Sequence, residues 1–177
     1  VIEKNKNRPF FLYLSHFAPH NPLQALRDDY DHFHHIEGES SEELKVYSAM
    51  LKALDRSVGR ILDTLEKNNL TDNTLIVLTS DNGGANYIHL SDINRPYRGW
   101  KLTHFEGGLH VPFMAKWPNK IEPGIEFNAP IHANDILPTF AAAAGAELPD
   151  DRIIDGVNLL PFLQNNNSDM PHETLYW

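Results

Sequence analysis

Asp81 and Asn82 in "LTSDNGG" (78–84), His20 in "APHNP" (18–22) and Lys101 in "RGWKLTHFEGG" (98–108) are residue types that can act together on an anionic ester. An acid and an amide are hard oxygen donors for Ca²⁺ or Mg²⁺, and a Lys with a His presents cationic or N–H groups to an oxyanion. The set suits an anionic ester bound beside a divalent metal. Each member also has a plainer account. "SDNGG" equally describes an Asx-type turn with a glycine exit, which needs no ligand. His20, between Pro19 and Pro22, can brace its loop through hydrogen bonds. Lys101 can be a solvated side chain, although Trp100 and Phe105 beside it point to partial burial of its stem. His16, His104 and His110 lie near the same stretches as supporting donors or substrate contacts. The cluster His32, His34 and His35 lacks helical i, i+4 metal spacing.

These residues meet only if their loops do. "PFFLYLS" (9–15) is a near-continuous apolar run with aromatics, which predicts a strand covered on both faces. After it, Pro19 and Pro22 are expected to hold the backbone extended around His20. The polar stretch 27–43 predicts a surface loop. From Glu42 to Asn68 an apolar stripe, Leu44, Tyr47, Leu51, Leu54, Val58, Ile61 and Leu65, predicts one long helix with Ser40 or Ser41 as its N-cap. A second apolar run over 74–79 predicts a strand that opens into "SDNGG", where paired glycines let the backbone pass close to something bound. Strand, helix, strand is the βαβ order of a parallel or mixed sheet, whose loops converge at the carboxyl ends of its strands. Residues 83–110 read as a long site loop, "VPFMAKW" as a strand, "ANDILPTFAAAAG" as a helix ending on Gly145, "DGVNLLPFL" as a turn into a short helix and "ETLYW" as the start of a strand. No repeat or linker divides residues 1–177, which predicts a single domain.

The 177 residues carry a net charge of −9, with no run of Lys or Arg, which argues against nucleic acid as a partner. The absence of cysteine excludes a disulfide framework, a thiolate metal site and a cysteine nucleophile within this sequence. No stretch approaches the roughly 20 apolar residues of a membrane-spanning helix.

Taken together, "PFFLYLSHFAPHNPLQ", "LKALDRSVGRILDTLEKNNLTDNTLIVLTSDNGG", "RGWKLTHFEGGLHVPFMAKWP", "NDILPTFAAAAG" and "DGVNLLPFL" resemble the sulfatase family of the alkaline phosphatase superfamily, in the family's order. The resemblance implies an α/β fold with a mixed, largely parallel sheet sandwiched between helices, of which this chain is expected to be the carboxyl-terminal half. It implies Ca²⁺, with Mg²⁺ as an alternative, on Asp81 and Asn82. His20 and Lys101 map onto sulfate-contacting, catalytic positions, and His104 is carried as a further substrate-binding residue. The family nucleophile, a formylglycine made from Cys or Ser in C/S-x-P-x-R, has no counterpart here, so this polypeptide alone is expected to be inactive. Leu102 stands where the family usually has Gly, and His110 where Arg commonly follows "EGG".

The implied parent is a sulfuric ester hydrolase acting on a carbohydrate or aryl sulfate, located in the periplasm, outside the cell or in lysosomes. Two alternatives stay open at this point. One is a phosphonate or phosphate monoester hydrolase of the same superfamily, and the other a non-catalytic sulfatase-like domain that binds glycans.

Overall fold

The computed structural model describes residues 1–90, 92–165 and 169–177; Ser91, inside the loop expected over 83–110, lies outside them. The chain forms two compact units, one of residues 1–71 and 82–111, the other of residues 72–81 and 112–177.

The first unit is organised by a 27-residue helix, α3 (Ser41–Lys67), where the apolar stripe predicts it. Glu42 and Glu43 in its first turn and Lys67 in its last complement the helix dipole. Its start departs from expectation. Ser40 occupies the N-cap position with φ 56° and makes no side-chain cap, because a left-handed backbone turns the hydroxyl away from the first N–H groups. Its end is a Schellman closure: Asn69 is left-handed at φ 56°, and the N–H groups of Leu70 and Asn69 donate to Leu65 O (2.9 Å) and Glu66 O (2.9 Å). α1 (Ile2–Asn5) packs on α3 through buried Ile2.

The stretch expected to be loop throughout contains a second helix on α3, α2 (Arg27–Asp31). No apolar periodicity announces it, because its anchor is ionic. Asp29 is only 3% exposed, and Arg56 on α3 grips both of its carboxylate oxygens at 2.7 Å, with Lys52 Nζ at 3.6 Å. The Arg56 guanidinium holds the Asp29 carboxyl below its ordinary range, against the opposing effect of burial. A depressed folded-state value means the stabilisation is complete above the unfolded carboxylate pKa of about 3.9 and is lost as pH falls through the folded one. Arg56→Met is therefore expected to melt at a lower temperature than the parent chain at pH 7. Thermal melts in a pH series should show that gap closing as pH falls from about 4 through the depressed folded value of Asp29, below which the carboxyl is protonated in both proteins.

The second unit holds the only sheet among the described residues, an antiparallel pair of β1 (Ile76–Thr79) and β2 (Phe113–Lys116), with Ile76 opposite Lys116 and Thr79 opposite Phe113. Along β2, Phe113 and Ala115 turn towards the core of Trp117, Ile121, Leu159, Leu160 and Leu163, while Met114 and Lys116 face out. α5 (Ile136–Ala144) carries Pro138 in its first turn and stops at Gly145, φ 65°, as the sequence predicts. α6 (Leu160–Leu163) packs against it. Asp135, fully buried, ties the segments together by accepting from the His132 and Val157 N–H groups at 2.7 and 2.9 Å, with His172 Nε2 at 2.9 Å.

The runs 9–15 and "ETLYW" are not strands among the described residues. An apolar run becomes a strand only when a neighbour satisfies its N–H and C=O groups, and no ladder forms at either; Tyr13 is 79% exposed and Tyr176 84%. The expected parallel βαβ pairing of 9–15 with β1 is thus not formed. No helix among the described residues is long and apolar enough to cross a membrane.

Candidate functional site

Within the first unit, Lys101 Nζ lies 3.3 Å from His20 Nε2, joining positions 81 residues apart. His20 sits in a turn closed by its own N–H donating to Phe17 O at 2.9 Å, and its ring leans on Phe17 with centroids 5.3 Å apart. This local hydrogen bond replaces the extended backbone expected between Pro19 and Pro22. The imidazole Nδ1 is 2.7 Å from Asn21 O. A carbonyl only accepts, so Nδ1 carries the proton and Nε2 of the neutral ring offers its lone pair to the Lys101 ammonium. The pair is open to solvent, with His20 exposed and Lys101 half-buried. An oxyanion entering between them accepts from the ammonium directly, and from Nε2 once the ring takes a second proton.

Lys101 is held by a turn over Trp100–Thr103. The Thr103 N–H donates to Trp100 O at 3.0 Å, while the Thr103 hydroxyl donates to the same carbonyl at 2.7 Å and accepts from the Trp100 N–H at 3.1 Å. Leu102, third in the turn, is left-handed at φ 78° and 84% exposed. Positive φ at that place is the type II pattern, where glycine is free of strain and leucine is not.

The glycine pairs approach each other closely. Gly83 N–H donates to Gly108 O at 3.0 Å, and a Cβ built on Gly83 would stand 1.8 Å from Gly107 O. Gly107 N–H donates to Arg98 O at 2.7 Å, and a Cβ on Gly107 would stand 2.3 Å from Gly99 O. "GG" at 83–84 and "GG" at 107–108 are thus two halves of one backbone crossing beside Lys101. Asn94, which sequence reasoning missed, is woven into it: its Oδ1 accepts from Gly84 N–H at 2.7 Å, and its Nδ2 donates to Gly84 O at 2.9 Å and Gly99 O at 3.1 Å. A lone Asn in an aperiodic loop gives no pattern to read; the two glycine pairs are the only sequence trace of the contact.

Asp81 ends the segment of the second unit and Asn82 begins that of the first, joined by one peptide bond. Asp81 is exposed, and the Asn82 carboxamide donates from Nδ2 to Gly83 O at 3.0 Å. Their donor chemistry fits a hard cation, and one oxygen from each would be roughly a quarter to a third of the six to eight that Ca²⁺ takes. Among the described residues no group of three His, Cys, Asp or Glu is placed to hold a metal, and that includes His32, His34 and His35. His104 is exposed and forms no hydrogen bond to His20 or Lys101 among the described residues. His110 stacks on Tyr97 at 4.3 Å, with Nδ1 3.2 Å from Glu106 Oε2 at the start of α4 (Glu106–Leu109).

Comparison with known proteins places this geometry. A family model described as Sulfatase matches residues 1–146. Rat steryl-sulfatase is 37% identical over 181 residues, 99% of this chain and 30% of its own length, and the Escherichia coli protein described as uncharacterized sulfatase YdeN is 37% identical over 180 residues, 31% of its length. The chain therefore spans about a third of the curated relatives it matches. The solved structure of Ps i-CgsB in complex with k-i-k-neocarrahexaose superposes with a TM-score of 0.87 at 41% identity, over 97% of this chain and 37% of that one. The α/β, alkaline phosphatase-like fold class expected from the sequence holds. With the family model covering the His20–Lys101 pair, both glycine pairs and the Asp-Asn step, the chain belongs to the sulfatase family.

Proposed function

We propose that this chain supplies the anion-recognition part of a sulfuric ester hydrolase, His20 and Lys101 taking the sulfate group and Asp81 and Asn82 contributing to a Ca²⁺ site, with Mg²⁺ as the alternative ion. The observation that carries the proposal is the 3.3 Å approach of Lys101 Nζ to His20 Nε2, which brings an ammonium and an imidazole to one solvent-open point. Lys101 binds and orients the sulfate oxygens and can assist the departing ester oxygen by donating a proton from Nζ. His20, its ring fixed through Nδ1–H, donates to a sulfate oxygen from Nε2 when the ring carries its second proton. A bound divalent cation would add charge stabilisation at the sulfate oxygens.

A sulfated carbohydrate is the favoured substrate class, supported by a solved relative that carries k-i-k-neocarrahexaose at 41% identity, with an aryl sulfate next. His104 is proposed as a substrate contact, reaching the ester from three positions past Lys101 in the chain. A formylglycine nucleophile would come from outside these residues, which contain no Cys and no S-x-P-x-R, so this chain alone is expected to bind sulfate without turnover. The family resemblance supports a periplasmic, secreted or lysosomal parent.

The test is release of nitrophenol from 4-nitrophenyl sulfate by the full-length parent protein. Activity should be lost in EDTA and restored by Ca²⁺, and Asp81→Ala should lower it by about tenfold or more. EDTA-insensitive turnover would remove Asp81 and Asn82 from the mechanism. Faster hydrolysis of a phosphonate monoester would move the parent to that class, and binding without turnover would make it a glycan-binding member.

A further inference from the structure

We propose that Asn94 is a positioning residue for the anion site, its carboxamide fixing the turn that presents Lys101 to His20. The inference rests on the proposed role of that pair, and its geometry is independent of it. The Asn94 side chain behaves towards Gly84 as a neighbouring strand would. It accepts the Gly84 N–H at 2.7 Å and donates to the Gly84 carbonyl at 2.9 Å, and its second amide proton goes to Gly99 O at 3.1 Å. Gly84 O has a second lone pair, and the Lys101 backbone N–H fills it at 3.0 Å. One carboxamide therefore connects the strand exit after Asn82, the glycine just before Trp100, and Lys101 itself through a shared acceptor.

Gly84 is built for this contact. A Cβ there would stand 2.7 Å from Ile93 Cγ2 and 3.0 Å from Asn94 Oδ1. The flanking charges do not share the role, since Arg95 Nε pairs with Asp92 Oδ1 at 3.0 Å on the surface. Removing the carboxamide leaves the Gly84 N–H and the Gly99 carbonyl without this partner and frees the turn to move the ammonium away from His20. A side chain that only stabilised the unit would leave the sulfate affinity of the folded chain unchanged.

The test uses Asn94→Ala and Asn94→Asp in this full chain, with Arg56→Met as a variant that weakens the same unit away from the glycine crossing. Two quantities are read: the affinity for inorganic sulfate, and the amide exchange rates of Lys101 and Gly84. Asn94→Ala is expected to weaken sulfate binding by about tenfold, the scale of losing a supporting hydrogen-bond partner, and to speed Lys101 amide exchange by about as much. Asn94→Asp keeps the acceptor for Gly84 N–H but faces two carbonyls with a carboxylate, so it should not rescue either quantity. Arg56→Met should leave sulfate affinity within about twofold of the parent, because it lies in a separate ion pair. Rescue by Asn94→Asp, or unchanged Lys101 exchange in Asn94→Ala, would overturn the proposal. If the parent chain binds no sulfate at millimolar concentration, the anion reading fails, and the exchange rates still decide the role of Asn94.

Discussion

Lys101→Ala is expected to lower kcat/KM of the full-length parent on a sulfate ester by about 10²–10³, the usual cost of deleting one donor aimed at a developing oxyanion. Lys101 is half-buried as a residue, and its backbone is held by a turn with three hydrogen bonds within four residues. The backbone that carries the charge therefore needs little ordering on binding. Lys101→Arg should recover only a fraction, because a planar fork cannot place one compact donor where the ammonium meets His20 Nε2 at 3.3 Å. His20→Ala should cost less than Lys101→Ala. The double variant should fall short of the product of the two losses, since groups in direct contact couple. Steady-state kinetics of the parent and these four variants is the measurement. A Lys101→Ala loss below about threefold would take the ammonium out of the transition state.

The elements that carry periodic apolar patterns were legible. β1, β2, α5 and α6 fall within the expected ranges and α3 starts one residue early at Ser41, because a stripe at steps of three or four residues, or a short β-branched run, reports burial on its own. What escaped is held by non-periodic partners. α2 depends on Asp29 meeting Arg56 across 27 positions, and the 9–15 run depends on a neighbouring strand that the described residues do not provide. In the site, His20 and Lys101 were legible as residue types, and the structure brings them into contact. The glycine pairs were legible as close-approach signals, but what they approach is the chain itself. Leu102 shows the same limit from the other side. Its identity departs from the family's glycine, and only the φ of 78° explains why glycine is the easier residue there.

Gly83→Ala is expected to destabilise the chain by about 3 kcal/mol, at the upper end for forcing a methyl group into packed surroundings. The added Cβ would stand 1.8 Å from Gly107 O and 2.8 Å from its carbonyl carbon. Both are backbone atoms, so no flexible side chain can swing aside. The crossing must open instead, at the expense of the hydrogen bond from Gly83 N–H to Gly108 O. Gly59 gives the opposite expectation for the same added methyl. It lies inside α3 with nothing within 4 Å of a built Cβ, so Gly59→Ala should stabilise the chain by about 0.5–1 kcal/mol through helix propensity. Urea unfolding of the two variants beside the parent chain separates these outcomes by sign. If Gly83→Ala unfolds at the parent's midpoint, the 83–84 and 107–108 pairs do not cross as described. Lys101, whose N–H is bonded to Gly84 O within that crossing, would then have no fixed seat beside His20.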